Sequence, residues 1–316
     1  MHAQYRTNRN RILRVCLDRE LDGFLVDAYA CVMSRVCALG SVRTDDTITG
    51  FLEAYRRWMS DPGQRPDLLS VDPGYVRWLA AFHLSVARPL ARRYSTWAVA
   101  NLVQSVPSSA GQEATGEITT AARDQNVRTL SRSEEIRIYR ALYRYETYHH
   151  LFGRNQGKRR GGFRHHEINE IFFCLFDPWE AEAMQRCLTH HHGLDAPMRR
   201  ALGSVAQSDR RDASSNSTSI NPRDEAERRR DPLEFAGDAV PPNGPPLGWV
   251  LLWSGTYANI YGEYVPEIVR KWGYVMWDER RWAELGARDL VAKQWETAPD
   301  LVQEIEIDYD WHPLGV

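Results

Sequence analysis

One stretch of the chain places a carboxylate and two imidazoles within a helical turn: YRYETYHHLFG, residues 143–153, with Glu146, His149 and His150. On a helix, residues three apart are neighbours, so Glu146 and His149 would share a face. This is the Glu-x-x-His spacing with which helical bundles hold di-iron centres. That architecture needs a second such motif and two more glutamates on separate helices, and the chain offers no second Glu-x-x-His. Other candidate ligands lie near in sequence. His166 and Glu170 are one turn apart, as are Cys187 and His191. If their helices converge, Glu146, His149, His166 and Cys187 or His191 would suit zinc or iron by ligand type. The structural alternative makes His149 and His191 hydrogen-bonded core histidines and leaves the others near helix ends, where a histidine interacts favourably with the dipole. Spacing leaves both open, and a motif without context favours the structural one. The run His190-His191-His192 could bind a metal weakly or be a frayed terminus.

Other chemistry is sparse. No G-x-S-x-G elbow, P-loop, Rossmann fingerprint or H-E-x-x-H occurs. GKRRGG, residues 157–162, has neither the order of a phosphate loop nor a preceding apolar strand. It does belong to a basic patch: Arg154, Lys158, Arg159, Arg160 and Arg164, with no acid among them. Such a patch could contact phosphates or act as a nuclear import signal, with ERRRD at 227–231 as a weaker second cluster. Only Phe163 is at hand for base stacking, and a basic loop is usually a solvated surface.

The elements that must position these residues are helical. In 316 residues, 43% hydrophobic, with 11 Trp and 14 Tyr, there is enough apolar material for a sizeable core. The 40 basic and 42 acidic residues give a net charge of −2, so no whole-molecule field points to nucleic acid or an anionic membrane. Five cysteines without C-x-x-C spacing argue against a disulfide framework or zinc ribbon and fit a reducing intracellular compartment. No apolar run approaches the roughly 20 residues of a membrane span. The Arg-rich first residues lack a secretory h-region and resemble a mitochondrial presequence, but they run directly into an amphipathic helix with Asp18, Glu20 and Asp22, which favours an ordinary basic first helix.

Apolar residues recur at three and four from Thr7 to Leu39, and Gly40 is a stop. A second helix opens at Thr44 and closes at Asp61-Pro62-Gly63; Asp72 caps a third with Pro73 at its first position, bent near Pro89. Residues 106–130 read as a polar connection. Ser131 and Glu134 form a capping box ahead of a stripe of Ile138, Leu142, Tyr145, His149 and Phe152, which Gly153 ends. Asp177 and Glu180 form a second capping box around Pro178, predicting a helix to about His191. Residues 203–246, rich in Ser, Asn, Asp, Arg and Pro, cannot bury enough apolar surface to offset ordering and read as a disordered linker. Beyond it, helices are expected near 249–260, 266–272 and ERRWAELG, and EIEIDYDW at 304–311 alternates as a strand that could pair with YVMW, 274–277. The aromatics from Trp249 to Trp282 could line a pocket or partner groove, or simply form the core.

Three stretches, LSRSEEIRIYRALYRYETYHH, FDPWEAEAM and KWGYVMWDERRW, resemble segments of a large group of uncharacterised fungal helical proteins, some described as F-box-like. The resemblance lies in separated blocks of the second half, and its motifs are structural rather than chemical. It implies a helical, intracellular fungal protein and carries over no catalytic residue. An F-box opens with Leu-Pro, which RILRVCLDRELDGFLVDAY lacks, so ligase-adaptor activity does not follow.

The sequence therefore predicts a mostly α fold: an irregular multi-helix bundle with a long disordered insertion and room for one small C-terminal β-hairpin. Its parts are an N-terminal helical region, 1–105; a connection, 106–130; a capped-helix unit, 131–202; a linker, 203–246; and an aromatic-rich region, 247–316, packing on the capped unit. The expected function is a non-enzymatic, intracellular (cytoplasmic or nuclear, not secreted) protein-interaction module with an unknown protein partner. A zinc or non-haem iron enzyme around Glu146 and His149, and weak nucleic-acid binding through 154–164, are the alternatives.

Overall fold

The computed structural model describes residues 2–40, 43–106, 129–153, 163–191, 235, 237–238, 244–253 and 267–296. Those residues are mostly helical and contain no strand. Tyr274–Trp277, one half of the suggested hairpin, is a buried turn, and 304–311 lies outside the described residues, as does most of 203–246.

The first helices are α1 (His2–Glu20), α2 (Leu25–Met33), the single turn α3 (Val36–Leu39) and α4 (Asp45–Ser60). They resolve the long N-terminal periodicity into separate pieces. Gly40, at φ +93°, ends α3 in a conformation that side-chain-bearing residues rarely adopt. The Thr44 hydroxyl accepts from the Thr47 amide, which caps α4, and Asp45 and Asp46 lie in its positive first turn. Asp72 caps α5 (Pro73–Phe82) by accepting from the Gly74 amide. Between α5 and α6 (Arg88–Ser105) the helix widens into one π turn over His83–Ala87, where the Arg88 amide donates to the His83 carbonyl. The bend expected at Pro89 takes this form because a helical proline ring crowds the carbonyl four residues back, here inside the widened turn.

The Ser131–Glu134 capping box forms in full, and of the Asp177–Glu180 box the structure shows the carboxylate half. The Ser131 hydroxyl accepts from the Glu134 amide while Glu134 accepts from the Ser131 amide, opening α7 (Arg132–Phe152). After α8 (His165–Ile171), Glu180 accepts from the Asp177 amide at the start of α9 (Pro178–His191). The remaining helices are α10 (Leu247–Trp253), α11 (Glu267–Lys271), α12 (Glu279–Leu285) and α13 (Arg288–Glu296).

The chain divides into two compact units, Met1–Arg93 with Ile138–Phe176 and Tyr94–Arg137 with Asp177–Val316, with borders inside α6 and α7. The first unit packs the 138–152 part of α7 among α2, α4 and the π turn. Phe24 stacks on Tyr139 at 4.8 Å, and Tyr55 meets Phe176 edge-on at 5.9 Å. The buried face is wider than the predicted stripe, since Tyr139, Tyr143, Arg144 and Thr147 are buried as well as Ile138, Leu142 and Phe152.

The second unit is built on the aromatics. Trp272, Tyr274, Trp277 and Trp282 are fully buried, and Trp179 meets Trp249 at 5.4 Å, so for these residues the core reading holds. The Trp277 indole donates to the Trp272 carbonyl and the Trp272 indole to the Ser105 hydroxyl, which ties the polar handles of two large rings. Gly273 turns at φ +67°, where a Cβ would stand 2.7 Å from the Tyr94 hydroxyl. Trp253, Tyr257, Tyr261 and Tyr264 lie outside the described side chains.

Candidate functional site

The opening motif folds into a pair, with a different partner from the one its spacing suggests. Glu146 accepts from His150 Nε2 at 3.2 Å, a four-residue step along α7 where the Glu-x-x-His spacing counts three. The other ring nitrogen of His150, Nδ1, faces the Ser34 hydroxyl at 2.9 Å and the Cys31 carbonyl at 3.1 Å. His149 turns the other way: its ring meets Tyr145 edge-on at 4.2 Å and Tyr148 at 5.8 Å, and Nε2 is buried. The Gly153 amide donates to the His149 carbonyl at 3.0 Å, and a Cβ at Gly153 would stand 2.4 Å from that oxygen, so the helix can close here only on glycine.

Ser34, His150 and Glu146 stand in file as hydroxyl, imidazole and carboxylate, the constellation of nucleophilic catalysis. Its surroundings suit a different task. Ser34 is 0% exposed, and its hydroxyl donates to the Cys31 carbonyl at 2.9 Å. It sits just past the C-terminus of α2, where carbonyl oxygens collect, whereas an oxyanion needs N–H donors. What gathers there is cationic or donating. His150 reaches the Cys31 carbonyl, and the Arg43 guanidinium donates to the Ser34 carbonyl at 3.0 Å. Arg43 thus caps the negative end of α2, and His150, whose Nε2 donates to Glu146, adds a second cap when its ring carries both protons. Nearby, the Arg35 guanidinium lies 4.1 Å over the Trp78 ring. Burial pushes the Glu146 carboxyl up, but the hydrogen bond from His150 and the charges of His150 and His149 outweigh it and hold the group below the usual range. Burial foremost, then Glu146, pushes the Cys31 thiol well up, which leaves it a poor nucleophile.

Among the described residues, no three His, Cys, Asp or Glu side chains gather as a metal-binding group. Glu170 is exposed on α8, and His166, Cys187 and His191 lie on α8 and α9 with side chains outside the described ones. Of the basic patch, Arg164 is exposed at the start of α8, where Glu167 accepts from its amide. Arg154, Lys158, Arg159 and Arg160 lie outside the described residues.

Three polar clusters have no motif in the sequence. In the π turn, fully buried His83 places Nδ1 3.0 Å from the Tyr143 hydroxyl and Nε2 3.3 Å from Glu20, which also pairs with Arg88. Below it, buried Asp27 accepts from the Tyr55 hydroxyl and from Arg144 at 2.7 Å, with Arg140 at 3.9 Å; the Arg144 guanidinium also lies over the Phe176 ring. Burial, then the Asp27 charge, raises the Tyr55 phenol well above its usual value. In the second unit Glu134, besides its capping role, accepts from Arg281 through both oxygens at 2.7 and 2.6 Å. Arg137 bridges Asp278 at 2.5 Å and Asp238 at 3.3 Å, and the Ser131 and Ser133 hydroxyls donate to Asp278. Asp238, inside the stretch read as a linker, also accepts from the Glu279 amide at 2.6 Å, an anchor that composition does not reveal. A polar residue in an apolar rhythm is the only sequence signal for these groups, as with Asp27 in LVDAYACVM.

Searches against protein-family models, curated proteins and solved structures find no match. Among the described residues no helix is long and apolar enough to cross a membrane.

Proposed function

We propose that the protein is a non-enzymatic interaction module that binds another protein through the outer face of α1. One observation supports this above the others. Ile12 and Val15, three residues apart on one face of α1, are 42% and 43% exposed, while Leu17 of the same helix and Leu21 in the turn after it are buried in the first unit. Arg14 fixes the helix in that orientation by donating to the Leu68, Leu69 and Val71 carbonyls, which brings Leu69, 64% exposed, to its side. A helix held firmly on one face with apolar side chains outward on the other is a surface prepared for a partner. The polar groups that resemble catalytic machinery, by contrast, satisfy one another inside the fold.

Site-specific photo-crosslinking tests this. A benzophenone side chain at Val15 of the full chain, in cells of its own host, is expected to trap a discrete protein adduct that the same probe at exposed Glu53 on α4 does not. Absence of an adduct from position 15, or identical adducts from both positions, would contradict the proposal.

A further inference from the structure

We infer that the partner segment is acidic and amphipathic: a stretch bearing two apolar side chains flanked by Asp or Glu. This rests on the reading of α1 as the docking face and adds its charge. Ile12, Val15 and Arg19 follow at three and four residues and share a stripe, Arg9 lies three before Ile12, and Arg11 lies four before Val15. The apolar pair is therefore framed by three guanidiniums. Arg9, Arg11 and Arg19 are exposed and make no ion pair among the described residues, whereas Arg14, on the inner side, is consumed by backbone carbonyls. Asp18 is the single acid between residues 8 and 19, which leaves this outer face positive on a chain whose overall charge is −2.

Guanidiniums that pair with no described acid, set around an apolar centre, select carboxylates around an apolar centre, since planar guanidinium and carboxylate groups can pair through two hydrogen bonds. A nucleic-acid backbone would leave Ile12 and Val15 without apolar contact. A lipid surface calls for a broad band of bulky apolar side chains, and this face presents two β-branched ones. The surface also explains its own exposure: an acidic partner is steered by the arginines and then buries the pair.

The test is selection from a random-peptide display library on the immobilised full chain, followed by binding of the selected peptides to two variants that retain the wild-type melting point. Enriched peptides are expected to carry an acidic excess and two apolar residues three or four apart. Their affinity should fall about tenfold or more in Arg9→Glu/Arg11→Glu and fade between about 0.05 and 0.5 M salt. Peptides without acidic excess, or equal binding to Arg9→Glu/Arg11→Glu, would overturn the charge inference while leaving the docking face in place. Binding that survives Ile12→Glu/Val15→Glu, or no enrichment at all, would overturn both. Cosedimentation with phosphatidylserine vesicles, lost in Arg9→Glu/Arg11→Glu and accompanied by no peptide enrichment, would replace the peptide with a lipid surface.

Discussion

The two units bury charge in opposite ways. In the first, a single carboxylate, Asp27, is shared by Arg144, Arg140 and the Tyr55 hydroxyl, so cations are in excess. In the second, Glu134, Asp278 and Asp238 share two guanidiniums, those of Arg137 and Arg281. The excess anion there is met by neutral donors, namely the Ser131 and Ser133 hydroxyls and the amides of Ser131, Asp278 and Glu279. The excess cation in the first unit is met by an aromatic face, with Arg144 lying 4.4 Å over Phe176. A buried ion is tolerated when every polar atom finds a partner, and the kind of partner left behind sets the cost of removing one member.

The largest expected effect follows from that asymmetry. Arg281→Met strips Glu134, 1% exposed, of both guanidinium bonds and leaves it a buried charge held by backbone amides alone, costing about 3–5 kcal/mol. Arg144→Met leaves Asp27 with Tyr55 and Arg140, so its cost should be smaller, about 2 kcal/mol. Urea denaturation of both variants compares them; equal costs, or the reverse order, would break the contrast between the units. Tyr55→Phe removes one hydrogen bond to a charged acceptor and should cost about 1.5 kcal/mol, read the same way.

A subtler effect separates the units by pH. Glu146 has its folded pKa lowered below 4.5, so its contribution is fully present above that value and is lost as pH falls below it through the folded pKa. Asp238 has its pKa raised above 3.8, by burial first and then by Asp278, so its ionised form opposes folding at neutral pH. That opposition is relieved as pH falls through the raised value toward 3.8. Carbon-detected carboxyl titration should therefore place the Asp238 midpoint above its unfolded value and the Glu146 midpoint below. In Asp238→Asn the relief on acidification should vanish. Shifts of the same sign at both carboxylates would remove the electrostatic distinction.

How much of this the sequence shows depends on how local the physics is. Thr44, Asp72 and the Ser131–Glu134 box are legible because a cap needs only neighbours two or three residues away. The turn Tyr274–Trp277 reads as a strand half because four large side chains in a row signal burial without signalling its geometry. The pairing of Glu146 with His150, four residues on, depends on which side of α7 is turned inward. The α7 neighbours decide that phase, and a helical repeat allows steps of three or four equally. Ser34 and the Cys31 carbonyl, over a hundred residues away, leave no trace in the motif they complete.

Glu146, His150 and Ser34 tie α7 to the end of α2. The most direct measurement is elemental analysis of the dialysed full chain, wild type and His150→Gln, expressed in zinc- and iron-replete medium, together with the urea midpoint of each. The expected result is a lower midpoint for His150→Gln with no stoichiometric zinc or iron in either protein. About one equivalent of metal in the wild type that disappears in His150→Gln would contradict it and make this stretch a metal centre.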